Sequence, residues 1–117
     1  MSYIDGFVVP VPSANKEAFV AHARHVDQLF MDYGALRVIE AWGDDVPEGK
    51  LTDFRRAVQA KADETVVFGW VEWPDKSTRD AAVQKMQNDS SMAPHENPFD
   101  GKRLIFGGFA TVLELKR

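Results

Sequence analysis

An α+β fold of the ferredoxin-like split type is what this sequence predicts, and three observations predict it. Four runs rich in β-branched and aromatic residues alternate with two long helical patterns, in the order strand, helix, strand, insert, strand, helix, strand. The first helical pattern carries a single apolar stripe, as a helix lying on a sheet does. The chain has 117 residues, 44% of them hydrophobic and 27% charged, which suits one domain with a real core.

The elements follow in order. Tyr3 to Val9 reads as the first strand, stopped by Pro10 and Pro12. Ser13 or Asn15 is expected to cap the first helix. Its stripe is Phe19, Ala23, Val26, Phe30 and Tyr33, and Gly34 is a natural stop because glycine accepts the left-handed conformation cheaply. Leu36 to Trp42 is a second strand. An insert of about residues 44–62 holds turn material and a short helix capped by Thr52 or Asp53. Thr65 to Trp73 is a third strand, and Asp75 or Ser77 caps a second helix ending near Gln87. A loop from Asp89 to Pro98 leads to a last strand, Lys102 to Leu115, with a bulge or a close backbone approach expected at Gly107-Gly108.

Composition excludes several functions. The net charge of -4, with no basic run beyond Arg55-Arg56, gives no footprint for nucleic acid. The absence of cysteine removes disulfides, thiolate zinc sites and thiol catalysis. The start of the sequence has neither the basic flank nor the apolar stretch of a signal peptide or a membrane span, so a cytoplasmic protein with no membrane partner is expected. Asn88-Asp89-Ser90 matches a glycosylation sequon, read as accidental in that setting. No phosphate-cradling glycine loop and no Gly-x-Ser-x-Gly elbow occurs, so no cofactor is expected.

Strand residues alternate between faces. One set, read as bulky and open, holds Tyr3, Phe7 and Val9, then Leu36, Val38 and Trp42, then Val66, Phe68 and Trp70, then Leu104 and Phe106. The other, smaller and with glycines, holds Ile4, Gly6 and Val8, Ile39 and Ala41, Val67, Gly69 and Val71, and Ile105, Gly107 and Phe109, and is read as the face beneath the helices. Two helices cover one face only. The uncovered face is therefore expected to meet a second copy, giving a face-to-face dimeric α/β barrel. The alternative is that the insert folds over the patch.

Several stretches resemble the YbaA-like family of small uncharacterised bacterial proteins. They are Tyr3 to Pro12, Gly34 to Val38, Trp42 to Lys50, Thr52 to Val58, Phe68 to Pro74 and Pro98 to Arg103, in order and over nearly the whole chain. The resemblance implies a homodimeric α/β barrel and no established activity.

The residues to weigh as a site are few. Glu40 and Glu72 are candidate general acids or bases on the aromatic face. Asp5, Trp42 and Trp70 are candidate ligand contacts there, because desolvation among aromatics raises a carboxyl's pKa. The plainer reading puts these carboxylates at strand ends in water, or neutralised by Arg37 or Arg103. Arg55 and Arg56 in the insert could hold an anionic group, or could simply make surface ion pairs around a capped helix that also draws on Asp44, Asp45 and Asp53. His22 and His25 lie three apart without a visible third ligand, so no metal site is expected, and His95 stands alone in a loop. Two functions compete. One is a dimer binding or transforming a small organic molecule in a pocket at the aromatic sheet face. The other is a non-enzymatic sensing or protein-interaction module that uses the 44–62 insert.

Overall fold

The computed structural model describes residues 2–89 and 97–117. The elements are β1 (Tyr3–Pro12), α1 (Lys16–Asp32), β2 (Arg37–Trp42), a single-turn helix α2 (Phe54–Ala57), β3 (Glu64–Trp73), α3 (Lys76–Gln87) and β4 (Ile105–Ala110). Single 3-10 turns at Ser13–Asn15 and Gly101–Arg103 precede α1 and β4. The four strands form one sheet in the order β2-β3-β1-β4, with every neighbouring pair antiparallel. That order and the strand–helix–strand repeats are the ferredoxin-like arrangement, as the sequence predicts.

Local signals explain most boundaries. Asp75 caps α3 by accepting from the Thr78 amide at 2.8 Å, and Asp53 caps α2 through the Arg56 amide at 2.7 Å. Gly34 follows α1 with φ +117°, where a Cβ would also press on Thr78. Asn15 precedes α1 but makes no side-chain cap; its Nδ2 donates to the Pro98 carbonyl at 3.0 Å. Ser13 pairs its hydroxyl with that of Thr65 at 2.7 Å.

Three boundary expectations are corrected. β1 continues through Pro10 and Pro12, because β4 pairs only with Tyr3 to Val8. Beyond Val8 one side of β1 is an edge, where a strand tolerates a residue without an N–H. β4 ends at Ala110 rather than Leu115, since β1 offers no partner beyond Tyr3. Thr111 closes the ladder onto the Ser2 carbonyl at 3.2 Å, and Val112, Leu113 and Leu115 are exposed. Lys102 and Arg103 belong to the 3-10 turn.

Strand register also corrects the faces. Tyr3, Phe7 and Val9 pair with Trp73, Gly69 and Val67, while Val38, Glu40 and Trp42 pair with Val71, Gly69 and Val67. These side chains share the helix-covered face, where Val9, Val11 and Val67 pack with Phe19 and Ala23 of α1. Val71 and Trp73 pack with Ala35 and with Ala82 of α3. Ile4, Val8, Ile39, Phe68, Trp70, Ile105 and Phe109 lie on the opposite face. The expectation is thus right for Val66, Phe68 and Trp70 and inverted for β1, β2 and β4. Both faces are mostly apolar, so bulk and glycine content could not tell them apart. Glycines on the open face sit under an aromatic ring instead of a helix: Phe109 covers Gly6 and Gly107. The insert covers one end of this face, where Val58 is buried with Val8 and Val66 and Phe54 meets Phe68 edge-on at 5.8 Å.

Candidate functional site

The helix-covered face encloses a cavity of about 700 Å³ between the sheet, α1 and α3. Its size suits a small organic molecule. Phe7 and Val9 of β1, Phe19, Ala23, Val26 and Phe30 of α1, Val71, Val83 and Phe99 make the walls apolar. Phe106 stands beside it at the free edge of β4, 82% exposed. On the sheet Gly69 sits between Phe7 and Glu40, and the Phe7 ring lies over it. A Cβ at Gly69 would overlap the Phe7 ring and press on the Ile39 carbonyl oxygen.

Among the described residues five ionisable side chains reach this cavity: Asp5 from β1, His22 and Asp27 from α1, Glu40 from β2 and Arg79 from α3. Arg79 is committed. It donates to Asp5 at 3.1 and 3.2 Å and to Asp80 at 2.8 Å, and lies 4.9 Å from the Tyr3 ring centre. Trp73 Nε1 also donates to Asp5 at 2.9 Å. Gly108 makes room for this cluster, since a Cβ there would strike both Arg79 and Tyr3.

Asp27 and Glu40 form the second cluster. Both are half-buried, and the Glu40 carboxyl donates a hydrogen bond to the Asp27 carboxylate. Burial is the first cause that pushes Glu40 up from the ordinary 4.5 to about 9; the Asp27 hydrogen bond and charge follow. Burial also raises Asp27, partly offset by the same hydrogen bond. Glu40 therefore keeps its proton at neutral pH beside the Asp27 carboxyl, and paired carboxyls of this kind can divide acid and base roles. Glu40 Oε1 is buried with no hydrogen-bond partner among the described residues. A buried acceptor of this kind is a place for a donor.

The structure separates the residues that the sequence brought together. Asp5, Glu40 and Trp42 lie on the helix-covered face, so their placement on the open aromatic face is corrected. Asp5 and Glu40 line the cavity; Trp42 instead packs against Phe19 at 6.2 Å, with Lys16 over its ring. Glu72 and Trp70 stay on the open face, where Trp70 Nε1 donates to Glu72 at 2.8 Å and Arg37 Nε at 3.0 Å. Those bonds, Trp70 foremost, hold the Glu72 carboxyl below its usual value. It is a satisfied carboxylate, poorly suited to take a proton. Arg55 donates to the carbonyls of Glu64 and Lys61, and Arg56 to those of Gly49 and Lys50 and to Glu48, so both tie the insert together. Arg103 pairs with Glu64 rather than with the candidate carboxylates, at 2.6 and 2.7 Å. His22 meets Phe99 edge-on at 5.6 Å, and His95 lies outside the described residues, as does Ser90 of the sequon. Among the described residues no group of three or more His, Asp or Glu side chains is placed to hold a metal ion. No helix there is long and apolar enough to cross a membrane.

Asp27 and Arg79 are the site residues that the sequence reading missed. Each carried a signal. Asp27 follows Ala23 by four and precedes Phe30 by three, so it falls on the apolar stripe of α1. Arg79 precedes Ala82 and Val83 by three and four on α3.

The fold class has solved counterparts. A dimeric ferredoxin-like protein from an uncultured marine organism superposes with a TM-score of 0.60 at 11% identity, covering 98% of this chain and 100% of its own. A second dimeric ferredoxin-like protein, again from an uncultured marine organism, gives 0.55 at 10% identity with full coverage of both chains. At such identities the likeness is one of fold. Sequence narrows the class further: the chain belongs to the family described as "Protein of unknown function (DUF1428)", whose model matches residues 2–101. It is 51% identical over 116 residues to uncharacterized protein YbaA of Escherichia coli K12, covering 97% of this chain and 99% of that one. The YbaA protein of Shigella flexneri matches to the same extent.

Proposed function

We propose that this protein is a cytoplasmic homodimer that holds a small organic molecule between its sheet and helices and exchanges a proton with it through Asp27 and Glu40. The single observation that carries this reading is a roomy apolar cavity containing two carboxyl groups that share a proton, one with an orphaned oxygen. Partial burial among apolar walls and a neighbouring carboxyl group tune a carboxylic acid toward general acid–base work near neutral pH.

Pairing of the open sheet faces is supported by the exposed Phe68, Ile105 and Phe109, and the two solved fold relatives are described as dimeric. Face-to-face pairing would close the sheets into a barrel and leave one cavity on the outer side of each. The interaction-module reading has less support, because Arg55 and Arg56 are spent on the insert's own carbonyls.

Native mass spectrometry of gently purified protein tests the reading. The expected result is twice the single-chain mass of 13.1 kDa with a reproducible small-mass adduct that Glu40→Gln loses. An adduct equally abundant in Glu40→Gln would remove the carboxyl pair from the binding site. Protein that stays bare even after incubation with a small-molecule library would remove the reading itself.

A further inference from the structure

We infer that the molecule taken by this cavity carries a protonated nitrogen, and that its ammonium group seats on the Asp27–Glu40 pair among Phe7, Phe19 and Phe30. The inference rests on the proposed reading that the cavity is the ligand site, and adds the chemical class.

Charge comes first. Among the described residues the ionisable groups facing the cavity are Asp5, His22, Asp27, Glu40 and Arg79. Arg79 is already paired with Asp5 and Asp80, and among the described residues no Lys or Arg ion pair reaches Asp27 or Glu40. The pair manages by retaining a proton. An anionic ligand would bring a further negative charge beside these carboxyls, at high cost in an apolar enclosure. A neutral hydroxyl could donate to Glu40 Oε1 and leave the shared proton where it is. An ammonium group does more. It offers up to three donors to the orphaned oxygen and to Asp27, and it supplies the missing charge. Phenylalanine walls favour a cation too, since ring faces carry negative potential.

The exchange balances. In the empty pair Glu40 holds a proton. When the ammonium enters, both carboxyls are ionised and the shared proton leaves to the buffer, with no covalent bond between ligand and protein. Binding should therefore release about one proton, and affinity should rise about tenfold per pH unit while the ligand stays protonated.

Three probes of similar shape decide it: 2-phenylethylamine, 3-phenylpropan-1-ol and 3-phenylpropanoate. Titration calorimetry in phosphate and in Tris counts the protons exchanged. Phenylethylamine is expected to bind with release of about one proton, to tighten about tenfold per unit between about pH 6.5 and about pH 8.5, and to outbind the alcohol, while the propanoate fails to bind. Glu40→Gln should lose at least about tenfold in affinity for the amine and release no proton. The proton count on unaltered protein stands even if that variant folds poorly. If the alcohol binds as tightly as the amine with no proton released by either, the cation inference falls and the cavity reading survives. If the propanoate binds best, the charge argument falls in the same way. If no probe binds, both fall together.

Discussion

Two buried carboxyl groups in this protein push stability in opposite directions with pH. Glu64 is almost fully buried and takes two bonds from Arg103, which hold it down at about 2, well under the ordinary 4.5. Its contribution is present above the ordinary carboxylate value and is lost as pH falls from about 4.5 toward about 2. Glu40 is raised to about 9, so the folded protein binds more protons than the unfolded chain across the interval from 4.5 to about 9. Raising pH through that interval therefore favours unfolding. The midpoint of thermal unfolding, followed against pH, is expected to fall on both sides of a maximum. Glu40→Gln should flatten the alkaline limb alone, because the amide keeps the shape without titrating. Glu64→Ala should lower stability by about 1.5–3 kcal/mol at neutral pH by removing the charged hydrogen bonds between Glu64 and Arg103, which keeps Asp100 and the Gln59 carbonyl, and should flatten the acid limb. A Glu40→Gln protein with an unchanged alkaline limb would show that the shared proton does not reside on this pair. At this scale the sequence was partly legible. Strand alternation put Glu40 among apolar residues with Val38 and Trp42, but the side that its face takes was read the wrong way round. Its partner came from a helix more than a dozen residues away, and only a three-dimensional contact joins them.

Among the elements, β3 gives the cavity Val71 and lets the Phe7 ring settle over Gly69. Its alternation puts Val67, Val71 and Trp73 into the core, and Gly69 interrupts the row where Phe7 and Glu40 flank it. The Phe7 ring leans into the space that the missing side chain leaves. Gly69→Ala is expected to push that ring toward the cavity and strain the Ile39 carbonyl, costing about 1–3 kcal/mol in thermal or denaturant unfolding. Phe7→Leu in the same chain should recover part of the loss, because a smaller side chain yields to the new methyl. A Gly69→Ala protein of undiminished stability would mean that β3 and β1 shift apart freely, and the close approach would not shape the cavity. Strand existence and order were legible because β-branched runs, turn residues and caps such as Asp53 and Asp75 act locally. The side facing the helices was not legible in β1, β2 or β4. Period-two alternation fixes which residues share a face, and it names the buried face only when the other is polar. Here Val8 and Val9 are both buried, one under the insert and one under α1.

The whole molecule is left with an apolar face that its own chain does not finish covering. Phe68 is 43% exposed, Ile105 46% and Phe109 60%, with Ile4, Ile39 and Trp70 beside them. The insert seals only the end at Val8 and Val66. At the opposite end Arg37, Glu72 and Trp70 bond to one another. The two charges already face each other there, so pairing would bury an ion pair rather than a lone charge. Burying one large apolar side chain contributes about 1.5–3 kcal/mol, and each copy offers several, enough to outweigh the entropy of association. A twofold axis through the face lets each patch meet its own copy. Light scattering at micromolar concentration should therefore give about twice the 13.1 kDa of one chain. Phe68→Glu with Ile105→Lys should give 13.1 kDa with unchanged far-ultraviolet circular dichroism, since both side chains face away from the helices. The cavity lies on the other face, so the monomeric variant should still take up phenylethylamine if each copy builds its site alone. Loss of uptake in a folded monomer would mean that sheet pairing sets the position of β1 and β2 around Glu40. A dimer that survives both substitutions would place the interface elsewhere, with Val112, Leu113 and Leu115 beyond the end of β4 as the next exposed apolar surface.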